Sequence, residues 1–239
     1  MVWRSSDVGI DDGNRQMVGG VGGTSLSPAL CPGRAFCKNA EMKRATVVIL
    51  AAVCLGGCSS SSGGREVPAG ATSSGGTHAV IETDKGNIEL ELLEAAAPKA
   101  VENFRLLAEH GYYDGLTFHR IVKGFMIQGG DPAGNGTGGE SAWGGMFEDE
   151  IDAESSLYRT GYRRGIVAMA NAGPDTNGSQ FFVMHQDYDL PPNYVIFARV
   201  TAGETVVDAI AELPTTIGPG GESSQPVTPP VIRKVAIRP

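Results

Sequence analysis

Residues 118–131 read FHRIVKGFMIQGGD, and residues 168–182 read AMANAGPDTNGSQFF. Short apolar runs within and beside these two stretches predict strands at about 117–121, 125–128, 165–169 and 180–184. The residues between the runs are rich in glycine, which favours loops and turns over helices. The two stretches therefore predict a loop-rich fold built from several short strands.

The same kind of pattern continues on both sides of these stretches. Further strands are predicted at about 80–83, 88–92, 194–200 and 231–237. One helix is predicted to begin at Pro98 and to end at Gly111, and a second to cover about 204–212 and to stop before Pro214. Many short strands with only two helices predict a mainly β chain that forms a closed or nearly closed antiparallel structure.

The two quoted stretches resemble the signature stretches of the cyclophilin-type peptidyl-prolyl cis–trans isomerases. Three shorter blocks occur in the order that the family shows. GTGG at 136–139 and FEDE at 147–150 lie between the two stretches, and FARV at 197–200 lies after them. The resemblance covers essentially all of residues 78–239. It implies a closed eight-stranded antiparallel β-barrel capped by two α-helices, with a substrate groove on the outside of the barrel, and an enzyme that rotates Xaa-Pro peptide bonds.

The resemblance also assigns roles to individual residues. Arg120 is the implied catalytic arginine, held together with the substrate backbone by Gln128 and Gln180. The implied substrate-binding residues, which line the proline pocket, bind the peptide backbone or shape the groove wall and rim, are Phe125, Met126, Ala170, Asn171, Ala172, Phe182, Leu190 and Tyr194. Taken singly, an arginine in a strand is usually a solvated surface residue, and Phe or Met at such spacings is usually core; only the two blocks together favour the catalytic interpretation.

Bond rotation explains why these residue types would suffice. It transfers no proton and forms no covalent intermediate, so we expect no cofactor and no metal, and the adjacent His119 is predicted to point to the opposite face of its strand as structural support.

Two positions depart from the family pattern. Leu190 stands where tight cyclosporin binders carry Trp, and Tyr194 stands where a His is common, so we expect weak cyclosporin binding. The stretch 153–164 is longer than in compact relatives, and the sequence predicts no function for it.

The N-terminal part predicts export. Met42 is followed by Lys43-Arg44, an apolar run at 45–55 and then Gly56-Gly57-Cys58, which is the order of a secretory signal and too short a run to span a bilayer. The end of this segment, 55–58, resembles the lipobox of bacterial lipoproteins, which implies lipidation of Cys58 and anchoring to the cell membrane; the alternative is a buried apolar helix with a chance cysteine.

The resulting organisation has four parts. Residues 1–41 are an unassigned extension that is not translated if synthesis starts at Met42, and 42–57 are a lipoprotein signal peptide. Residues 58–77 are rich in Ser and Gly and predict a flexible tether, and 78–239 form the isomerase domain.

Charge and cysteine content exclude other classes. Residues 59–239 carry 13 basic and 23 acidic side chains, a balance that repels phosphate backbones, so we expect no nucleic-acid partner. All four cysteines lie at or before Cys58, which excludes disulfides and thiolate metal sites in the domain.

Proline-containing segments are the expected partners, and folding of exported proteins is the expected task. A proline-peptide binding module and a structural lipoprotein remain the alternatives.

Overall fold

A computed structural model describes residues 66–239 of the chain. Its strands are β1 (His78–Thr83), β2 (Gly86–Leu92), β3 (Arg120–Val122), β4 (Met126–Gly129), β5 (Ile166–Met169), β6 (Phe181–Met184), β7 (Ile196–Ala202), β8 (Thr215–Ile217), β9 (Ser223–Pro226) and β10 (Ile232–Arg238). Its helices are α1 (Pro98–Glu109), α2 (Ser156–Thr160) and α3 (Glu204–Ala211).

Eight strands form one antiparallel sheet in the order β10-β1-β2-β7-β5-β6-β4-β3, while β8 and β9 form a separate hairpin. The predicted eight strands are confirmed, but the predicted closed barrel is wrong, because β3 and β10 do not pair as strands and the sheet stays open there. At this seam a single bridge joins Thr117 to Val231, and Phe118 N donates to Pro230 O at 3.0 Å. Pro229 and Pro230 have no N–H group, so they cannot extend this contact into a ladder.

The helix prediction was short by one. The two predicted helices are α1 and α3, and Gly111 adopts the left-handed φ of 66° after α1. The additional helix, α2, lies in the stretch 153–164, for which no element was predicted. Ser155 caps it by accepting a hydrogen bond from Tyr158 N, and Gly161, which has a φ of 77°, follows its last residue.

Alternating side chains divide the apolar residues into two clusters on opposite faces of the sheet. Ile121, Ile127 and Val183 belong to the large inner core. The other face carries a smaller set, here called the outer cluster, whose buried members are Phe125, Met126, Tyr158, Tyr162, Ala168, Phe182, Met184, Tyr194 and Ile196. Because successive residues of a strand face opposite sides, this packing places the predicted groove residues on the face opposite the core.

The described part of the predicted tether lies against α1. Ser73 donates through its hydroxyl to Glu102 at 2.5 Å, Ser74 N donates to Glu109 at 2.8 Å, and the buried Arg105 donates to Gly76 O at 2.6 Å. Carboxylates on α1 thus satisfy backbone groups of residues 73–74. The predicted extension, signal peptide and Cys58, together with the tether before residue 66, lie outside the described residues.

Candidate active site

Arg120 opens β3 and lies at one edge of the outer cluster. Its Nη1 donates to Gln128 Oε1 at 3.3 Å, and its Nη2 donates to Glu222 Oε2 at 2.8 Å. Gln128 is within hydrogen-bonding distance because it lies directly opposite Arg120 in the register of β3 and β4. The side chain of Arg120 is 19% exposed, so its charge lies close to the surface. Both terminal nitrogens of the guanidinium already have hydrogen-bond partners.

A chain of amide hydrogen bonds continues from Gln128 across the neighbouring strand. Gln128 Nε2 donates to Gln180 Oε1 at 2.9 Å, and Gln180 Nε2 donates to Gly138 O at 2.8 Å. A backbone carbonyl can only accept, so Gly138 O fixes the orientation of both amides and turns Gln128 Oε1 toward Arg120. The two glutamines therefore form a directional support for the guanidinium.

Aromatic rings form the wall beside this polar chain. Phe182 stands opposite Gln128 in the register of β4 and β6, and its ring contacts that of Tyr194 edge-on at 5.5 Å. Phe125 and Met126 complete the buried part of this wall, and Leu190 packs against it from the following loop. Burial raises the pKa of Tyr194, and the nearby charge of Arg120 acts in the opposite direction. An apolar surface thus lies within reach of a fixed cation.

Tyr188 extends this wall and was not predicted from the sequence. Its ring lies 4.4 Å from the ring of Phe125 at an angle of 38°, and the residue remains 47% exposed. A backbone bridge to Tyr162 holds the Tyr188 segment in place. No local pattern marks Tyr188, because its partner lies 63 positions earlier in the chain.

The loop after β5 forms the remaining border. Ala170 packs on the outer cluster and donates through its N–H to Gln180 O at 2.9 Å. The side chain of Asn171 donates to Asn193 O at 2.8 Å, next to Tyr194. Ala172 lies one step farther out, and its N–H donates to Thr176 Oγ1 within the same loop. Asn171 therefore ties this loop to the segment that carries Tyr194.

Two tyrosines of the stretch 153–164 hold Tyr194 by its backbone. Tyr162 Oη donates to Tyr194 O at 2.9 Å and accepts from Tyr194 N at 3.0 Å. Tyr158 Oη donates to Tyr194 O at 3.3 Å and accepts from Ile196 N at 3.0 Å. Burial raises the pKa of Tyr158 to about 12, so its hydroxyl keeps its proton at neutral pH. The stretch that had no predicted function supports the pocket wall.

Two buried histidines, His119 and His185, lie near Arg120 and Phe125 in the chain or in the fold. His119 is buried, and burial lowers its pKa, so the imidazole is neutral at neutral pH. His185 Nδ1 accepts from Gly124 N at 3.0 Å, and its Nε2 lies 3.2 Å from Asp208 Oδ1. The hydrogen bond from Gly124 anchors the turn between β3 and β4, which carries Phe125.

Two features of residues 66–239 bear on other kinds of site, namely the grouping of potential metal ligands and the length and polarity of the helices. No group of three or more His, Cys, Asp or Glu side chains in this part of the chain is arranged to hold a metal ion. None of the helices in the same range is both long and apolar enough to cross a bilayer.

Several known proteins are similar to this chain. The family model described as cyclophilin type peptidyl-prolyl cis-trans isomerase/CLD matches residues 78–237. Among similar proteins, isomerase cyp15 of Rhizopus delemar is 54% identical over 136 residues, which are 56% of this chain and 21% of that protein. A putative isomerase of Staphylococcus aureus is 47% identical over 137 residues, which are 56% of this chain and 65% of that protein.

A solved structure is also similar to this chain. The crystal structure of a Cryptosporidium parvum cyclophilin type isomerase in the presence of the dipeptide Ala-Pro is 38% identical, with a TM-score of 0.61. The match covers 68% of this chain and 99% of that one. By contrast, the chain spans only about a fifth of the length of the Rhizopus protein.

Proposed function

Because the chain belongs to the cyclophilin-type peptidyl-prolyl cis–trans isomerase family, we propose that its domain catalyses rotation about Xaa-Pro peptide bonds in the groove beside Arg120. The observation that carries the proposal is the fixed guanidinium next to an apolar wall, with Nη1 on Gln128 and the rings of Phe182 and Tyr194 close by. The proline ring packs on this wall, and the bond to be rotated lies over Arg120.

The reaction needs speed and no driving force. Conjugation of the amide makes the barrier about 18–20 kcal/mol, whereas the cis and trans forms of an Xaa-Pro bond differ by only about 0.5–1 kcal/mol. In the twisted transition state conjugation is lost and the proline nitrogen regains its lone pair. Arg120 donates a hydrogen bond to that lone pair, which the planar ground state does not offer, so the transition state is bound more tightly than the substrate.

One hydrogen bond does not account for a large acceleration. Each factor of ten in rate needs about 1.4 kcal/mol, so five decades need roughly 7 kcal/mol. A hydrogen bond to a charged group contributes about 1.5–3 kcal/mol. The remainder comes from anchoring the proline on the outer cluster and from backbone bonds at Asn171 that hold the preceding residue. Gln128 and Gln180 add to this by holding the guanidinium before the substrate arrives.

The proposed ligands are proline-containing polypeptide segments. The Cryptosporidium parvum relative was crystallised in the presence of Ala-Pro, and this chain is expected to take the same dipeptide unit. Leu190 provides apolar contact but no indole N–H donor at the groove rim, so cyclosporin binds weakly compared with relatives that carry Trp there.

The site of action is the outer face of the cell membrane. The order of a basic start at Lys43-Arg44, an apolar run and Gly56-Gly57-Cys58 supports a lipoprotein signal, with two acyl chains on Cys58 sufficient for stable anchoring. There the enzyme meets newly exported chains in extended form and helps them to fold. This part of the proposal rests on sequence features that lie outside the described residues.

A rate measurement on the purified full chain tests the activity. The cis-to-trans rate of a short Xaa-Pro peptide is followed with and without the protein, over a range of enzyme concentrations. A rate that rises linearly with enzyme concentration supports catalysis. A protein that binds the peptide, as seen by chemical-shift changes, but leaves the rate at its spontaneous value would show a proline-binding module instead of an enzyme.

A further inference from the structure

The β8–β9 hairpin brings a carboxylate to Arg120 from outside the main sheet. Glu222 lies at the end of the loop 218–222, directly before β9, and its Oε2 accepts from Arg120 Nη2 at 2.8 Å. Its backbone is fixed as well, because Gly218 N donates to Glu222 O at 2.8 Å and Gly221 turns the chain with φ of 79°. The hairpin lies against β3, so the carboxylate approaches the guanidinium from a defined direction.

We infer that Glu222 is a positioning residue for Arg120, an inference that rests on the proposed function of the groove. Gln128 holds Nη1 through a neutral amide at 3.3 Å, whereas Glu222 holds Nη2 through a charge-assisted bond at 2.8 Å. The charged bond is the shorter and stronger of the two. Because Nη1 and Nη2 are both hydrogen-bonded, the guanidinium is held in one orientation.

Holding the guanidinium in advance matters for the rate. An arginine side chain loses up to about 1.5–2 kcal/mol of rotamer entropy when it is immobilised. If that ordering happens only in the transition state, it adds to the barrier; if Glu222 imposes it in the free protein, it does not. The carboxylate also offsets part of the positive charge of Arg120, and the gain in orientation of the guanidinium outweighs this loss of charge.

The ion pair is too exposed to matter much for folding. Arg120 is 19% exposed and Glu222 is 43% exposed, and pairs at the surface contribute only about 0.2–1 kcal/mol to stability. Loss of Glu222 is therefore expected to change the rate while leaving the fold intact. The exposure also makes the pair sensitive to salt, which gives a readout that a purely structural residue does not have.

The test compares the full-length chain with its Glu222→Gln and Glu222→Ala variants on an Xaa-Pro peptide, with kcat and KM measured separately. We expect kcat to fall roughly tenfold, which corresponds to about 1.4 kcal/mol, with KM and the melting temperature nearly unchanged. In about 0.5 M salt the wild-type kcat should move toward that of Glu222→Gln, which itself should change little. In an Arg120→Ala background the Glu222→Gln change should have no further effect.

Glu91→Gln is the matched control. Glu91 on β2 forms an ion pair at 2.7 Å with Arg199 on β7, whose side chain is 58% exposed. Substitution of Glu91 removes the same charge without touching the groove. Equal kcat in wild type and Glu222→Gln overturns the inference, and so does a higher kcat, which would show that the carboxylate competes with substrate. An active wild type with either result leaves the isomerase proposal standing, whereas an inactive wild type overturns both.

Discussion

Replacing Tyr162 with phenylalanine should destabilise the domain, because this hydroxyl makes two buried hydrogen bonds to one residue of the pocket wall. It donates to Tyr194 O at 2.9 Å and accepts from Tyr194 N at 3.0 Å. Each hydrogen bond contributes about 0.5–1.5 kcal/mol net, so the loss of both should lower the free energy of unfolding by about 1–3 kcal/mol. For a domain of this size, each kcal/mol corresponds to about 2–4 °C in Tm.

Equilibrium unfolding in urea measures this loss directly. The Tyr162→Phe variant should show a lower midpoint with an unchanged slope, since the surface exposed on unfolding stays the same. Tyr188→Phe is the matched control, because this residue is 47% exposed and its substitution should stay within about 0.5 kcal/mol of wild type. If Tyr162→Phe and Tyr188→Phe unfold at the same urea concentration, the support assigned to Tyr162 is wrong.

Three further predictions concern Tyr158, Leu190 and Cys58. Burial raises the pKa of Tyr158 from 10.0 to about 12, so its contribution to stability is complete below pH 10 and is lost as pH rises toward 12; the difference in unfolding free energy between wild type and Tyr158→Phe should narrow by up to about 1.4 kcal/mol per pH unit. Leu190→Trp should tighten cyclosporin binding in a fluorescence titration, since it restores an indole donor. Cys58→Ser should prevent lipid attachment, seen by membrane fractionation and mass analysis of the N-terminal peptide, whereas Cys54→Ser should not.

Each of these has a result that contradicts it. A difference between wild type and Tyr158→Phe that stays constant through alkaline pH means that the hydroxyl is not buried as described. Equal cyclosporin affinities for wild type and Leu190→Trp refute the role of Leu190 at the rim. A wild-type protein that is unmodified and does not fractionate with membranes refutes the lipoprotein interpretation while leaving the isomerase proposal intact.

Local patterns in the sequence predicted the elements that build the groove. Short apolar runs located β3, β4 and β6 to within a few positions, because each of these strands packs on the inner core. Such runs could not reveal that the sheet stays open, since closure depends on whether β3 pairs with β10, more than 100 positions later. The resemblance to the family implied a closed barrel, whereas Pro229 and Pro230 lack the N–H groups that further pairing at this seam would need.

The contacts that were missed are short elements and long-range polar pairs. Helix α2 has five residues, too few for a helical period to show in the sequence. The strands of the β8–β9 hairpin read TTI and SSQP, so neither shows an alternation of apolar and polar residues. Glu222 reaches Arg120 across 102 positions and Tyr162 reaches Tyr194 across 32. Such pairs form only when the topology brings distant residues together, so a local pattern in one sequence does not reveal them.

We expect Arg120 to stabilise the twisted state of the Xaa-Pro bond and to contribute little to holding the planar substrate. The most direct test is to measure, on one peptide, both the exchange rate between cis and trans by NMR and the Kd, for wild type and Arg120→Ala. The account predicts that Arg120→Ala loses most of the rate enhancement, keeps its fold by circular dichroism, and binds the peptide with a Kd close to that of wild type. A folded Arg120→Ala protein that exchanges the peptide at the wild-type rate would contradict the mechanism.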